Sequence, residues 1–279
     1  MRTAGVDPLD RMIHDGEIKR LLKYRTPFVL GHDVADVVPR VGSAVRAFKV
    51  GDEVYARPRG LRIGGFAEFI AIDQDDIAPK PASLTPQETA VVPLVALAAW
   101  QILVERGRVK PGQKVLVHAG AGGLGSTAVQ LAKHLGATVA TRRAPTSSNW
   151  CGASAPTSST AKEDFSKVLS GYDLVLDSLG GTNLEKSLTV LRPDSLAIGV
   201  VGPPDAGFAK HLGVRYQFFF MRADGSQLRE ISALYDGGKL RPVIDSTFPF
   251  HRTLEAMAYV EQGRTKAGKV VVSMVDDND

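Results

Sequence analysis

The sequence predicts an α/β fold in which a doubly wound parallel sheet is joined to a smaller β-rich barrel or sandwich. Three observations carry that expectation. Val115–Val117 is a short apolar strand that runs into Gly120, Gly122, Gly123 and Gly125 and then into the helical stretch Ser126–Leu135. Asp173–Leu176 and Leu196–Val201 are further short apolar runs ending at glycine or proline turns, as expected of parallel strands buried on both faces. Residues 27–80 read differently, with Val34–Val41, Glu53–Ala56 and Phe66–Ile72 separated by Gly31, Gly42, Gly51–Asp52 and Gly64–Gly65, the spacing of a small β-domain.

Each element has a local reason. Ala78–Pro86 carries three prolines and marks a boundary; Thr85 and Glu88, three residues apart, form a capping box that opens the apolar helix Ala90–Leu103. After the glycine loop, Gly136 closes one helix and Ala137–Ala140 supplies the next strand, completing a βαβ unit. Gln227–Tyr235 reads as a helix stopped by Gly237 and Gly238. Val243–Phe248, Thr253–Gln262 and Lys269–Met274 return to β-rich character. The expected division is therefore 1–93 for the β-domain, 94–240 for the nucleotide-binding domain and 241–279 for a return into the first.

Composition removes several classes of function. Hydrophobic residues at 44% and charged residues at 23% are ordinary for a soluble globular chain, and no apolar run approaches the roughly 20 residues that span a bilayer. The amino-terminal stretch MRTAGVDPLD has no apolar core of a secretion signal, so the expected compartment is the cytoplasm. A single cysteine, Cys151, excludes an internal disulfide and a thiolate zinc cluster. The formal net charge of +4 permits an anionic partner, but no RNA-binding motif or aromatic-basic stripe accompanies it, and Arg57, Arg59 and Arg62 read as a solvated turn.

The chemistry lies at the glycine loop. A diphosphate site needs a turn that a Cβ would oppose and a backbone that a pyrophosphate can approach, with helix N–H groups facing the charge. Gly120, Gly122, Gly123 and Gly125 stand in that context. About 20 positions further on, where an NAD site places an acidic residue, this chain has Thr141, Arg142 and Arg143. Arginine there favours a 2′-phosphate and hence NADPH; the alternative is a pair of exposed arginines after a strand.

These residues resemble the zinc-free quinone oxidoreductases, the zeta-crystallin-like branch of the medium-chain dehydrogenase/reductases. AGVDPLD is similar to the family's AGVNPxD, PFVLGHDVADVV to its PxxxGxDxxG, KVGDEVYA to its KVGDxV turn and GGFAEF to its G-x-F-A-E strand. PLVALAAWQIL, AGAGGLG within KVLVHAGAGGLGSTAVQLAKHLGA, DLVLDSLGG and KAGKVVV complete the pattern. The resemblance implies a Rossmann domain with a GroES-like β-barrel catalytic domain, NADPH as cofactor, a quinone or enone as the small-molecule substrate, and a homodimer. It implies that Ala119, Gly120, Gly122, Gly123, Leu124 and Gly125 hold the diphosphate, Thr141, Arg142 and Arg143 the 2′-phosphate, and Asp177, Leu179, Gly180, Gly202 and Lys269 the remainder of the cofactor. Asp7, His32 and Phe66 would border the substrate. Asp7 and His32 match the positions where zinc-containing relatives hold a metal, but no third ligand is identified and no metal is expected.

The chain departs from the family in several places. It begins near the AGVNPxD motif, so the barrel is expected to be truncated. Asp7 stands for the family's Asn, and Ala98 for a Thr that often reaches the nicotinamide. The segment Ala144–Thr160 has the composition of a loop where a Rossmann helix and strand belong. A single nucleotide string encodes ELVRSLGADVVD in one frame and NWCGASAPTSS one base later, so we read this segment as frame-shifted and restored near Ala161–Lys162; sequencing the encoding DNA tests that. A non-catalytic, nucleotide-binding remnant is the alternative to an active reductase.

Overall fold

The computed structural model describes residues 2–20, 22–60, 62–142, 158–159, 164–204 and 207–274. The strands are β1 (Thr3–Val6), β2 (Asp33–Val37), β3 (Glu53–Ala56), β4 (Ile77–Pro79), β5 (Lys114–Val117), β6 (Thr138–Thr141), β7 (Ser158–Ser159), β8 (Tyr172–Asp177), β9 (Leu191–Gly199), β10 (Arg215–Phe218), β11 (Ile244–Pro249) and β12 (Lys269–Ser273). The helices are α1 (Pro8–His14), α2 (Pro86–Ala90), α3 (Pro93–Trp100), α4 (Gly123–His134), α5 (Phe165–Val168), α6 (Gly181–Thr189), α7 (Phe208–His211), α8 (Gly225–Asp236) and α9 (Thr253–Glu261). The chain forms two units, Met1–Leu97 with Arg222–Asp279, and Ala98–Met221.

The first unit is built on a sheet of order β11-β12-β1-β2-β3-β4, antiparallel except where β11 runs parallel to β12. Strand β12 lies between β11 and β1 and is buried along its whole length, pairing Val270 with Val6 and Val272 with Ala4. Val6, Val270, Val272 and Ala256 of α9 form an apolar cluster against which Phe66, Phe248 and Met257 pack. The capping box at α2 is present: Thr85 Oγ1 accepts from the Glu88 N–H at 3.2 Å, and a Glu88 carboxylate oxygen accepts from the Thr85 N–H at 2.9 Å.

Two sequence expectations change here. Phe66–Ile72 forms no strand. Gly64 and Gly65 donate to the Gly31 carbonyl and Phe66 to that of Leu30, so this backbone is committed to a turn and the fourth strand comes at Ile77–Pro79. The second change is the return point, at 221/222 rather than 240. Helix α8 belongs to the first unit, where Tyr55 Oη donates to the Leu228 carbonyl at 2.7 Å and lies 2.9 Å from Ser232 Oγ. A Cβ on Gly225 would overlap the Ile77 carbonyl and reach 2.7 Å from that of Asp75, so only glycine lets α8 start this close to the β4 backbone.

The second unit is a six-stranded, fully parallel sheet of order β10-β9-β8-β5-β6-β7. Numbered within the unit this is the doubly wound order, and its reversal falls between β5 and β8. Leu116, Ala140, Val175 and Ala197 of four neighbouring strands pack with Leu184 and Leu188 of α6, Phe165 and Val214. The segment Ala144–Thr160, read from the sequence as frame-shifted, and Arg143 lie outside the described residues, apart from Ser158–Ser159, which pair with Ala140 and Thr141 as β7. Among the described residues no helix is long and apolar enough to cross a membrane.

Tyr55→Phe removes a buried hydroxyl and leaves the Leu228 carbonyl without that donor. Unfolding in urea is expected to show a loss of about 1 kcal/mol, the net worth of one hydrogen bond, since the Leu228 carbonyl keeps its acceptor role within α8.

Candidate functional site

The dinucleotide loop begins where β5 ends. Thr141 Oγ1 donates to the Val117 carbonyl at 2.7 Å, the Arg142 N–H to the same carbonyl at 3.3 Å, and the Gly120 N–H to the Arg142 carbonyl at 3.0 Å. These bonds stitch the ends of β5 and β6 together. Ala119 holds a positive φ of 50°, a conformation that costs an L-residue strain, and its carbonyl accepts from the Gly122 N–H at 2.8 Å.

The glycines divide into two kinds. A Cβ on Gly120 would overlap Thr141 Oγ1 and lie 2.8 Å from Thr141 Cβ; one on Gly125 would overlap the Ala119 carbonyl oxygen and lie 2.7 Å from its carbon. The protein's own packing requires glycine at both. Gly122 has an ordinary φ of −71°, and its Cβ would meet only the Ala119 oxygen at 3.4 Å. A Cβ on Gly202 would meet nothing within 4 Å. Space is therefore left where the fold has no use for it. Gly122 is the N-cap of α4 and gives that helix no side-chain cap, so the N–H groups of its first turn, with Gly123 and Leu124 half-buried beside it, suit an anion. The loop thus fits a diphosphate.

Around it stand the other expected residues. Arg142 is half-buried, with Nη1 donating to Asn183 Oδ1 at 2.6 Å and its guanidinium 5.0 Å above the Phe165 ring. Asp177, at the end of β8, is buried and accepts from the Gly180 N–H at 2.8 Å, while its Oδ1 has no partner among the described residues. Burial pushes its carboxyl above the usual range, against the pull of the Gly180 and Leu179 N–H groups. Leu179 is exposed, and Gly180 holds a positive φ of 68° at the N-cap of α6. Tyr216 Oη donates to the Gly202 carbonyl at 2.6 Å.

Residues expected at the acceptor end lie in the first unit. His32 and Asp7 are both buried; His32 Nδ1 lies 2.7 Å from Asp10 Oδ1, which also accepts from the Gly31 N–H. Asp10 Oδ2 accepts from the Asp7 N–H at 2.9 Å. Asp7 Oδ2 and His32 Nε2 have no partner among the described residues. Phe66 is half-buried against the Val6 and Val270 cluster. Among the described residues no group of three or more His, Cys, Asp or Glu side chains could hold a metal.

Lys269, expected at the cofactor, stands on β12 of the first unit, 5% exposed, and its ammonium pairs with Asp7 Oδ1 at 2.7 Å and with Asp33 Oδ2. Burial pushes the Asp33 carboxyl up to about 7, with Lys269 opposing the rise and Asp7 adding to it. Arg57, expected on a solvated turn, is instead buried, with Nη1 donating to the Pro58 carbonyl; the carboxylates of Asp33 and Asp7 lie close enough to favour its charge. Asp76 holds Arg59 at the surface.

Sequence reasoning did not single out His118, Asn183, Ser187, Asp10, Asp33 or Tyr216. Asp10, Asp33 and His118 lie inside the family-like motifs; nothing in the sequence marks the others. Ser187 Oγ donates to the Asn183 carbonyl at 2.6 Å, so at 2.6 Å from His118 Nε2 it accepts, and the ring carries its proton on Nε2. Burial, then the Arg142 charge, lowers His118 from 6.5 to about 4. The unfolded chain therefore binds more protons between those values, and stability contributed by neutral His118 is full above the upper one and lost as pH falls toward the lower. Comparing wild type with His118→Gln, so that other titrations cancel, the relative stability of wild type should drop by about 3 kcal/mol across that window.

Comparison with known proteins gives two family matches. Residues 1–82 match the alcohol dehydrogenase GroES-like domain and residues 151–272 the zinc-binding dehydrogenase family. The mitochondrial NAD(P)H oxidoreductase RTN4IP1 of Danio rerio is 33% identical over 304 residues, covering 97% of this chain and 76% of that protein. The chloroplastic NADPH-dependent alkenal/one oxidoreductase of Arabidopsis thaliana is 34% identical over 285 residues, covering 96% and 69%. The solved quinone oxidoreductase of Coxiella burnetii superposes with a TM-score of 0.89 at 27% identity, covering 98% and 89%. With its GroES-like and Rossmann units and its glycine loop, the chain belongs to the quinone-oxidoreductase branch of the medium-chain dehydrogenase/reductase superfamily and is a nicotinamide-dependent oxidoreductase.

Proposed function

We propose that this protein is an NADPH-dependent reductase that delivers hydride to a quinone or an α,β-unsaturated carbonyl. The observation that carries the reading is the space at Gly122, a glycine that the fold itself does not need, set at the uncapped start of α4. The names of the Arabidopsis and Coxiella proteins support the acceptor class. Arg142 supports NADPH over NADH: it follows β6 directly, it is half-buried, and Asn183 occupies one of its five N–H donors.

When bound, the reduced nicotinamide supplies the hydride. The chain's own residues bind and orient. The N–H groups at the start of α4 face the diphosphate, Arg142 pairs with the 2′-phosphate, and Gly180 and Gly202 keep the ends of β8 and β9 open to the ribose and ring. Asp177 caps the turn that places Gly180. Asp7, His32 and Phe66 stand for the acceptor side, where Asp7 Oδ2 and His32 Nε2 are buried polar atoms without a partner among the described residues. The reading extends to a homodimer, supported by the family resemblance.

Two outcomes test it. Gly122→Ala is expected to fold normally, because its Cβ meets nothing closer than 3.4 Å, yet to lose NADPH affinity by about tenfold or more as the methyl enters the diphosphate space. Gly125→Ala, which would overlap Ala119, should lower the melting temperature as well. Fluorescence titration and thermal melting on both variants separate the two effects. Purified protein should also bind NADPH more tightly than NADH and oxidise it when a simple alkenone or quinone is added, followed by loss of reduced-nicotinamide absorbance. Saturable binding without turnover over a broad acceptor panel would leave a nucleotide-binding protein and remove the reductase; absence of both would remove the site.

A further inference from the structure

We propose that Asn183 is a positioning residue for cofactor choice, holding the Arg142 guanidinium in the orientation that receives a 2′-phosphate while leaving its charge intact. The inference rests on the reading of Arg142 as the phosphate partner and adds a residue with no place in that reading.

Arginine is a rotamer-rich side chain, and one that merely follows a strand would lose that freedom on binding a phosphate. Here the freedom is removed beforehand. The Arg142 backbone is bonded on both sides, its N–H to Val117 and its carbonyl to the Gly120 N–H, so its Cα is registered to the phosphate loop itself. The side chain is then fixed at two points: Nη1 on Asn183 Oδ1 at 2.6 Å, and the guanidinium over Phe165, whose ring is buried. Phe165 is in turn held edge-on by the His118 ring at a centroid distance of 5.0 Å.

Asn183 is itself anchored. It lies in the first turn of α6, where Leu184 and Leu188 are buried in the core. One turn on, Ser187 Oγ donates to its backbone carbonyl and accepts from His118 Nε2, which ties α6 to the residue just before the phosphate loop. The identity of the side chain matters. An amide oxygen takes one N–H from the guanidinium and cancels none of its charge, whereas a carboxylate at the same place would neutralise the cation and repel a phosphate. Among the described residues Asn183 takes one N–H of this half-buried arginine, and its further donors suit a phosphomonoester dianion; a ribose hydroxyl gains nothing comparable.

The test uses adenosine 2′,5′-bisphosphate and ADP as probes, titrated calorimetrically into the wild-type protein and into Arg142→Ala, Asn183→Ala and Asn183→Asp, with a thermal melt of each. Arg142→Ala is expected to weaken the bisphosphate about 30-fold or more and Asn183→Ala about 5- to 10-fold, with ADP unchanged within about twofold. Asn183→Asp keeps the acceptor oxygen, so a merely structural role predicts wild-type behaviour, whereas the proposal predicts a loss at least as large as in Asn183→Ala. Should Asn183→Ala fail to fold, Asn183→Asp decides alone. In wild type, bisphosphate that offsets the Arg142 charge should also raise the titration midpoint of His118 in NMR spectra, and ADP should not. Loss in Arg142→Ala with wild-type affinity in both Asn183 variants would overturn this inference and leave the NADPH reading standing; no loss in Arg142→Ala would overturn both.

Discussion

The dinucleotide unit depends on one close approach, that of the Gly125 backbone to the Ala119 carbonyl. Strand β5 must end, reverse and feed α4 within a few residues, and the chain does so by placing the first turn of the helix against the carbonyl of a residue held at positive φ. No side chain fits at 125, nor at 120 beneath Thr141. The cost of that turn is met by hydrogen bonds among Val117, Thr141, Arg142 and Gly120, which lock the ends of β5 and β6 to each other. What results is a helix start with unused N–H groups above a glycine that nothing else occupies. The packing rules and the diphosphate site we propose rest on the same geometry.

The first unit is organised around the opposite problem, a surplus of buried charge. Asp7 and Asp33 share one ammonium, Lys269, in a sheet interior where three residues contribute two negative charges and one positive. Each such charge costs several kcal/mol to bury, of which a well-made pair recovers about as much, so removing the lysine alone would be expected to cost about 3–5 kcal/mol. Burial dominates at Asp33, and the nearby guanidinium of Arg57 is also buried, from a segment whose composition reads as an exposed turn. In the family pattern an asparagine stands where this chain has Asp7. An amide there would leave Lys269 and Asp33 as a balanced pair, so this single substitution changes the electrostatics of the whole interior.

Much of the architecture was legible because its signals are local. The capping box at Thr85 and Glu88, the strand before the glycine loop, the helix stopped at Gly237 and the three returning segments each follow from a few adjacent residues, and each is found within two residues or so of its expected bounds. The misses share a cause. Phe66–Ile72 has strand composition, but Gly64 and Gly65 spend the local hydrogen bonds on Gly31 and Leu30. Helix α8 looks like the last helix of the nucleotide-binding unit in sequence order, and only Tyr55 and the β4 backbone, far away in the chain, claim it for the other unit.

The sequence by itself determined the glycine loop, the parallel strands that flank it and, through a chain of short motifs, the superfamily. It could do so because a tight turn and a helix start are demands on neighbouring residues. Tertiary structure alone decided which glycines serve the fold and which leave room for a ligand, since that depends on what a missing Cβ would have touched. It also decided that Lys269 pairs with two buried carboxylates, and that Asn183, one of many polar residues on a helix face, meets Arg142 from 41 residues away. Pairings between distant residues leave no periodicity for a sequence to display.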